Sequence, residues 1–324
     1  MKEYKFGDKI FMIEVKVLQA RQGDCIWVRC ISDRIVNIVI DAGPSTFKKD
    51  FINLVEEIQN RREKIDLLIF SHIDDDHIKG CIQYFKKNEK TIINKVWING
   101  SGSSVYSDGQ EHSVNNISDL VSLMKQKNIS METPILEGKE YSFNGGKIKV
   151  IGPKRGTMLK VAEKIEKHME HSGGKYIGDI SHIEDIYEAD SSDTNKASII
   201  VALEFEDKKI LFTGDSTAEN IIEAVDKYYP QEKFEMVKLP HHGSPRNISR
   251  ELIKKLNTDQ FIISTNKTVE KVVLYRFGEE RKNTKLLCNY AWWKREYFTE
   301  NDIKEYINTK RIVMKYIGDE KINL

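Results

Sequence analysis

Within Ser71-His72-Ile73-Asp74-Asp75-Asp76-His77, two imidazoles and three carboxylates crowd into six residues. Packed together without a cation, such groups repel one another and lose hydration, whereas a divalent metal makes the same cluster favourable. The loop follows Ile65-Asp66-Leu67-Leu68-Ile69-Phe70. An apolar run bounded by charge reads as a strand buried on both faces, so the loop hangs from the strand's C-terminal end, where open α/β sheets place ligands. An acidic surface turn is the bland alternative, and two later stretches argue against it. Thr213-Gly214-Asp215-Ser216 follows the strand Ile210-Leu211-Phe212, and Pro240-His241-His242-Gly243-Ser244 follows Met236-Val237-Lys238-Leu239. Each again sets a ligand-type side chain just past a predicted strand.

Taken together, the three strand ends resemble the metallo-β-lactamase-fold hydrolases, whose HxHxDH, Asp and His motifs come in this order. More particularly they resemble the hydrolase domain of ComEC-type competence (DNA-uptake) proteins: His72 to His77 fits the HxDxDH form, and Leu239 to Ser244 fits PHHGS. The resemblance implies an α/β protein with an αββα sandwich. It implies a centre for one or two divalent ions drawing on His72, Asp74, Asp76, His77, Asp215, His241 and His242, with Asp215 between the metals. Asp193-Thr194-Asn195-Lys196-Ala197-Ser198 resembles the NxxS element of the same group, which makes Asn195 a polar site residue. The general pattern takes a third histidine from mid-chain. His168, His171 and His182 are present, but none ends an apolar run, so the His72/Asp74 side is left without a strong third donor. One of His241 or His242 is expected to complete the other side. Asp74 replaces the commoner histidine and adds hard oxygen character, which moves the preference from Zn2+ toward Mn2+ or magnesium, with zinc still compatible.

The elements that must position these groups read as follows. Ile10 to Leu18 is a strand, Gln22-Gly23-Asp24 turns into Cys25 to Cys30, and Val36 to Ile40 ends in Asp41-Ala42-Gly43. The QGD and DAG turns resemble the opening strands of the same hydrolases. Gln22, Asp24 and Asp41 are placed to orient ligands, although Asp24 reads first as a turn former. Phe47, Phe51, Leu54, Val55 and Ile58 recur at helical spacing, and a second helix is expected over Ile78, Cys81, Ile82 and Phe85. Relatives usually carry two glycines after the DH pair; here Ile78-Lys79-Gly80 stands instead, and Lys79 either points to solvent or reaches a substrate phosphate. Ser101 to Asn116 reads as a surface loop holding His112, Ile117 to Met124 as a helix, and Lys147 to Pro153 as a strand. Residues 154–193 read as an inserted helix, striped by Met158, Val161, Ile165 and Met169, followed by an acidic rim over the site. The hydrolase domain is expected over residues 1–268, with 269–324 as a C-terminal extension packed on it. Relatives commonly carry a His-Pro pair after the strand Phe261 to Asn266, whereas this chain has Lys267-Thr268-Val269-Glu270.

The 324 residues carry 51 Lys plus Arg against 50 Asp plus Glu, so no global basic field points to nucleic acid and any such surface is local. With 40% apolar residues the chain can bury a sizeable core. The start, Met1-Lys2-Glu3-Tyr4-Lys5, lacks the apolar core of a signal peptide, and no stretch approaches the roughly 20 apolar residues of a membrane span. Four cysteines, Cys25, Cys30, Cys81 and Cys288, show no CxxC spacing and read as packing thiols; the expectation is a cytoplasmic protein.

The chemistry expected of these residues is metal-dependent hydrolysis, with bound water brought toward a pKa of about 7. Asp76 orients that water or binds metal, while Lys238, His241 or His242 stabilises developing charge or protonates the leaving oxygen. Lys79, Asn195, Asp41 and Ser244 are the expected surrounding polar groups. A phosphodiester fits best, because its charge meets metal, histidine and lysine together. A small-molecule ester, lactone or thioester hydrolase and a silent, metal-stabilised interaction module are the other two readings, and fold alone does not separate them. From Arg281 to Arg295 five basic residues and no acidic one are interleaved with Tyr290, Trp292 and Trp293, a composition that suits either single-stranded nucleic acid or tryptophans that cap the core beside solvated lysines.

Overall fold

The computed structural model describes residues 11–99, 111–157, 178–293 and 296–324, the side chains of 111–118 excepted. Strands β1 (Met12–Val17), β2 (Ile26–Ile31), β3 (Ile35–Ile40), β4 (Leu67–Ile69), β5 (Lys95–Trp97) and β6 (Ser130–Glu132) build most of one sheet. Strands β7 (Glu140–Phe143), β8 (Gly146–Gly152), β9 (Ile200–Phe205), β10 (Lys208–Phe212), β11 (Met236–Lys238), β12 (Gln260–Ile263), β13 (Thr284–Cys288) and β14 (Ile312–Tyr316) build the other. The last strand, β15 (Lys321–Asn323), returns to the first sheet and pairs antiparallel with β1. Residues 269–324 thus supply two strands of the second sheet and one edge of the first.

Each sheet joins an antiparallel half to a parallel half, and helices cross over in the parallel halves. Three apolar layers result. One lies between the sheets, where Val15, Val17, Ile38, Leu67 and Ile69 of the first face Leu203, Ile210, Phe212 and Ile262 of the second. A second lies outside the first sheet, beneath the helix Lys48–Asn60, which buries Phe51, Leu54, Val55 and Ile58 as its spacing predicts. The third lies outside the second sheet, beneath the helices Ala218–Tyr228, Arg250–Lys255 and Lys271–Glu280. This is an αββα sandwich. It explains why the β4 run lacks polar alternation: Leu67 and Ile69 face the inter-sheet layer while Leu68 and Phe70 face the helical one.

Several local expectations change. The segment expected as a loop up to Asn116 is already helical from Glu111, because Leu120 and Met124 anchor a longer helix, Glu111–Gln126. The helix expected after His77 breaks into Asp75–Ile78, a tight turn Lys79–Cys81, and Ile82–Lys87. Gly80 is the cause. Its N–H donates to Gly43 O at 2.8 Å, and a Cβ there would sit 1.9 Å from Ala42 O, so the ligand loop is pressed against the turn after β3. The stripe Met158, Val161, Ile165 and Met169 lies outside the described residues. All four cysteines are buried and free. Among the described residues, no helix is long and apolar enough to cross a membrane.

Candidate metal centre

Every expected ligand leaves the C-terminal end of a strand in the parallel halves, and both sheets contribute. The first sheet sends His72, Asp74, Asp76 and His77 beyond β4; the second sends Asp215 beyond β10 and His241 and His242 beyond β11. Asp215 is the meeting point. Its Oδ2 lies 3.9 Å from His72 Nε2, 3.4 Å from His77 Nε2, 4.0 Å from His241 Nε2 and 3.3 Å from His242 Nε2. His77 Nε2 and His242 Nε2 are 3.2 Å apart, and Asp76 lies 3.9 and 3.8 Å from them. Asp74 Oδ2 is 3.5 Å from His72 Nε2.

All four imidazoles face inward through Nε2 because their Nδ1 sides are occupied. His77 Nδ1–H donates to Asp41 Oδ2 at 2.8 Å, and His242 Nδ1–H donates to Ser264 O at 3.0 Å. The Ser71 hydroxyl is spent on Asp41 Oδ2 (2.7 Å), which leaves its oxygen to accept from His72 Nδ1–H at 3.0 Å. His241 Nδ1–H faces Asn247 Oδ1 at 3.0 Å and Asp190 Oδ2 at 3.3 Å. Such backing fixes the tautomer and aims a lone pair at the centre. Convergent lone pairs around a buried carboxylate are the donor set of a divalent cation, and two observations fit one here. His72 Nε2 is buried with no hydrogen-bond partner, and Asp24, His77, Asp215 and His242 bring ligand-type atoms within 4.8 Å of one another.

Both His241 and His242 turn Nε2 toward Asp215, at 4.0 and 3.3 Å. His242 joins Asp76 and His77. Thr194 donates to Asp74 Oδ2 (3.4 Å), and the Nδ2 of its neighbour Asn195 lies 3.3 Å from His241 Nδ1, so the Thr194-Asn195 turn touches both Asp74 and His241. The backbone bends hard to do this. His241 (φ 45°, ψ 50°) and His242 (φ 56°, ψ 20°) are both left-handed, at a cost of about 1–3 kcal/mol each. Pro240 before and Gly243 after them frame the kink. Strained backbone of this kind collects at functional sites.

Two expected roles do not match the geometry. Lys238 is 1% exposed, and its ammonium is enclosed by Asp24, by Gly214 O at 3.0 Å and by Asp215 Oδ1 at 3.5 Å. It holds Asp215 from behind and cannot meet a substrate. Lys79 pairs with Asp75 one helical turn away, so it does not reach into the site. Ser244 lies at the rim, lining a cleft beside His241 and His242.

Three residues were missed. Asp24, expected as a turn former, is 1% exposed and forms the buried ion pair with Lys238; its place in the QGD turn next to a strand was the available signal. Gly23 beside it is required, since a Cβ would lie 1.9 Å from Asp76 O. Asp190, expected on an acidic rim, is buried and accepts from Asn195 Nδ2 (2.7 Å) and Asn247 Nδ2 (2.9 Å). Nothing in the composition around Asp190 or Asn247 marked them out. Asn195 and Ser198 do reach the centre, the latter accepting from Asp215 N at 3.3 Å.

Removing the support behind His77 tests this backing. Asp41→Asn leaves the turn's hydrogen bonds largely intact but weakens the hold on the His77 tautomer. Metal affinity is expected to fall about 10- to 100-fold, read by competition with a chromophoric chelator.

Charge follows from this packing. Burial favours neutral His242, but the Asp215 and Asp24 carboxylates outweigh it and push its pKa up to about 10. Burial likewise opposes charge on His77, and Asp215, Asp41 and Asp76 raise it well above the ordinary histidine value. In the metal-free protein these carboxylates therefore favour protons on the two rings. Metal uptake must displace these protons, so affinity should climb with pH up to about 10 and weaken steadily below it. Calorimetry in two buffers of different ionisation enthalpy checks this; a buffer-independent heat would contradict it.

An αββα sandwich with a buried Asp/His centre between the C-terminal strand ends of two sheets defines the class, the metallo-β-lactamase fold. No family model matches the chain. A protein of Saccharolobus islandicus (strain L.S.2.15), provisionally named an HTH-type transcriptional regulatory protein, is 23% identical over 287 residues, 88% of this chain and 88% of its own. Among solved structures, the metallo-β-lactamase-fold protein YhfI from Bacillus subtilis matches 97% of this chain and 99% of its own at 10% identity and a TM-score of 0.41. CmlA, a diiron β-hydroxylase from Streptomyces venezuelae, matches 98% of this chain at 11% identity and a TM-score of 0.47; this chain spans 54% of its length.

Proposed function

We propose that this chain is a metal-dependent hydrolase of phosphodiesters. The observation that carries the reading is the convergence of four Nε2 atoms on Asp215 Oδ2, each ring backed at Nδ1. A bound divalent cation supplies an acidified water and positive charge at the reacting centre. The chain would hold it on one side through His72, Asp74 and His241 and on the other through Asp76, His77 and His242, with Asp215 serving both. Asp76 keeps 30% of its side chain exposed and is the carboxylate placed to orient the attacking water. His241, with 37% of its side chain exposed and Asp190 behind it, is placed to pass a proton to the leaving oxygen. Asp190 is held well below the usual carboxylate range: its burial alone would raise it, but hydrogen bonds from His241, Asn195 and Asn247 outweigh that, so it stays ionised.

The positive charge of a bound cation would suit a diester better than a neutral carbonyl, and the HxDxDH and PHHGS motifs support the nuclease form of the reading. The tryptophan segment supports it less. Trp292 is 9% exposed and packs on Trp293 and Tyr297, and the Arg281 guanidinium is spent on Ile253 O, Leu256 O and Thr258 O. Any strand of nucleic acid is left with Trp293 and the exposed Lys282 and Lys285; Lys294 and Arg295 lie outside the described residues.

Metal analysis of chelator-free protein, followed by hydrolysis of bis(p-nitrophenyl) phosphate, tests the proposal. Expected is uptake of Mn2+ or Zn2+ with turnover that a chelator abolishes. A chain that takes up neither metal sinks it, and turnover of p-nitrophenyl acetate without any diester points to the ester reading.

A further inference from the structure

Beside His241 and His242 opens a cleft of about 170 Å3. One wall is Ser244 and Pro245; the other runs from Thr265 through Lys267 to Glu270. Both walls are braced from behind. The buried Arg276 donates to Pro245 O at 2.6 Å, and the Tyr297 hydroxyl donates to Val269 O at 2.9 Å. The turn itself is tied by Lys267 N–H donating to Thr265 Oγ1 at 3.1 Å. The cleft is therefore shaped before anything enters it.

Two charged side chains line it without being neutralised in place. Lys267 is exposed and Glu270 half-buried, and among the described residues neither side chain makes a hydrogen bond or an ion pair. Arg276, the nearest cation acting on Glu270, is engaged by Asp185, Pro245 O and Ile248 O. Burial lifts the Glu270 carboxyl above the usual range, as expected of an acid lacking a partner. A cleft that offers a cation and a separate anion complements a ligand carrying both charges.

Size limits the ligand. At about 170 Å3 the cleft falls short of the roughly 300–1,000 Å3 that buries a drug-sized ligand, so it suits a compact group.

We propose that Lys267 and Glu270 are positioning residues that select a phosphodiester with one compact, ammonium-bearing alcohol, Lys267 meeting the phosphate and Glu270 the ammonium. This rests on the phosphodiesterase reading above. It differs from it in assigning the substrate's small end to a cleft where the chain carries Lys267 to Glu270.

The test is binding of two isosteric probes to the manganese-loaded full chain by calorimetry at low temperature: methyl 2-aminoethyl phosphate and methyl propyl phosphate. The amine should bind about tenfold more tightly. Glu270→Gln should erase that preference without weakening methyl propyl phosphate. Lys267→Ala should weaken both probes about tenfold or more, and the exposed control Lys282→Ala neither. Equal affinities in the unaltered chain overturn the inference. So does loss of melting temperature in both variants with no change in affinity, which would mean that the two side chains pair with each other in solution. If the preference holds but no diester is cleaved, the phosphodiesterase reading fails while the cleft assignment stands.

Discussion

Asp215→Asn is expected to lower the proposed phosphodiester turnover by about a thousandfold and to remove high-affinity metal uptake, while the metal-free chain keeps its circular dichroism spectrum. The size follows from position. Asp215 Oδ2 is the atom common to all four imidazoles, so neutralising it takes the shared negative ligand from both halves of the centre at once. Several kcal/mol of charge stabilisation depend on such a centre, and each 1.36 kcal/mol is a factor of ten in rate. Asparagine keeps the shape, and Lys238 retains Asp24 as a counter-ion, so the fold survives. Turnover within tenfold of the unaltered protein would show that Asp215 is not the hub of the reaction.

Lys238→Met costs the most stability of any single change near the site, about 3–5 kcal/mol, because it strands a buried carboxylate. Asp24, 1% exposed, loses its ion pair, and Asp215 loses its cation from behind. Asp24→Asn combined with Lys238→Met should recover part of the loss, since the double change removes the stranded charge. A pH series adds a sign. Burial alone would raise the Asp24 carboxyl, but Lys238 and His242 outweigh it and hold it well below the ordinary value. Its contribution is therefore complete above the unfolded carboxyl's pKa of about 4 and is lost as the pH falls below that. Urea titrations from pH 7 down to 3 should show the unaltered chain losing stability faster than the double variant. Parallel slopes would contradict the pairing.

The ligand loops were legible because each strand end was announced by an apolar run and a run of this kind has one reading. His72, His77, Asp215 and the His241-His242 pair could be placed by that rule alone. What escaped were partners supplied by distant segments. Lys238 looks from sequence like a catalytic cation at the tip of β11, yet β-strand alternation points its side chain inward to meet Asp24, more than two hundred residues earlier. Asp190 sits in a stretch whose acidic neighbours include the exposed Glu184 and Glu188, so composition hid a carboxylate that turns inward. The tryptophan segment left two readings open, and the packing of Trp292 agrees with the one in which the tryptophans cap the core. Basic and aromatic residues interleave there, but Trp292 packs on the apolar layer outside the second sheet and Arg281 closes the end of a helix. The joint approach of His241 and His242 to Asp215 was invisible because two adjacent histidines ordinarily point apart. Only the left-handed backbone at both lets them turn to one carboxylate.

The division of ligands between the sheets has a consequence for how the molecule comes into being. Neither layer owns a working centre: four of the groups arrive with the first sheet and three with the second. A nascent or half-assembled chain is therefore chemically inert, and competence appears only when the layers have docked. An ion caught at that seam then acts as a latch, adding about 4 kcal/mol against separation of the layers when it is present at a thousand times its dissociation constant. Stripping it should loosen the whole sandwich along the plane between its sheets, so the life of the fold and the readiness of the catalyst are governed by the same equilibrium.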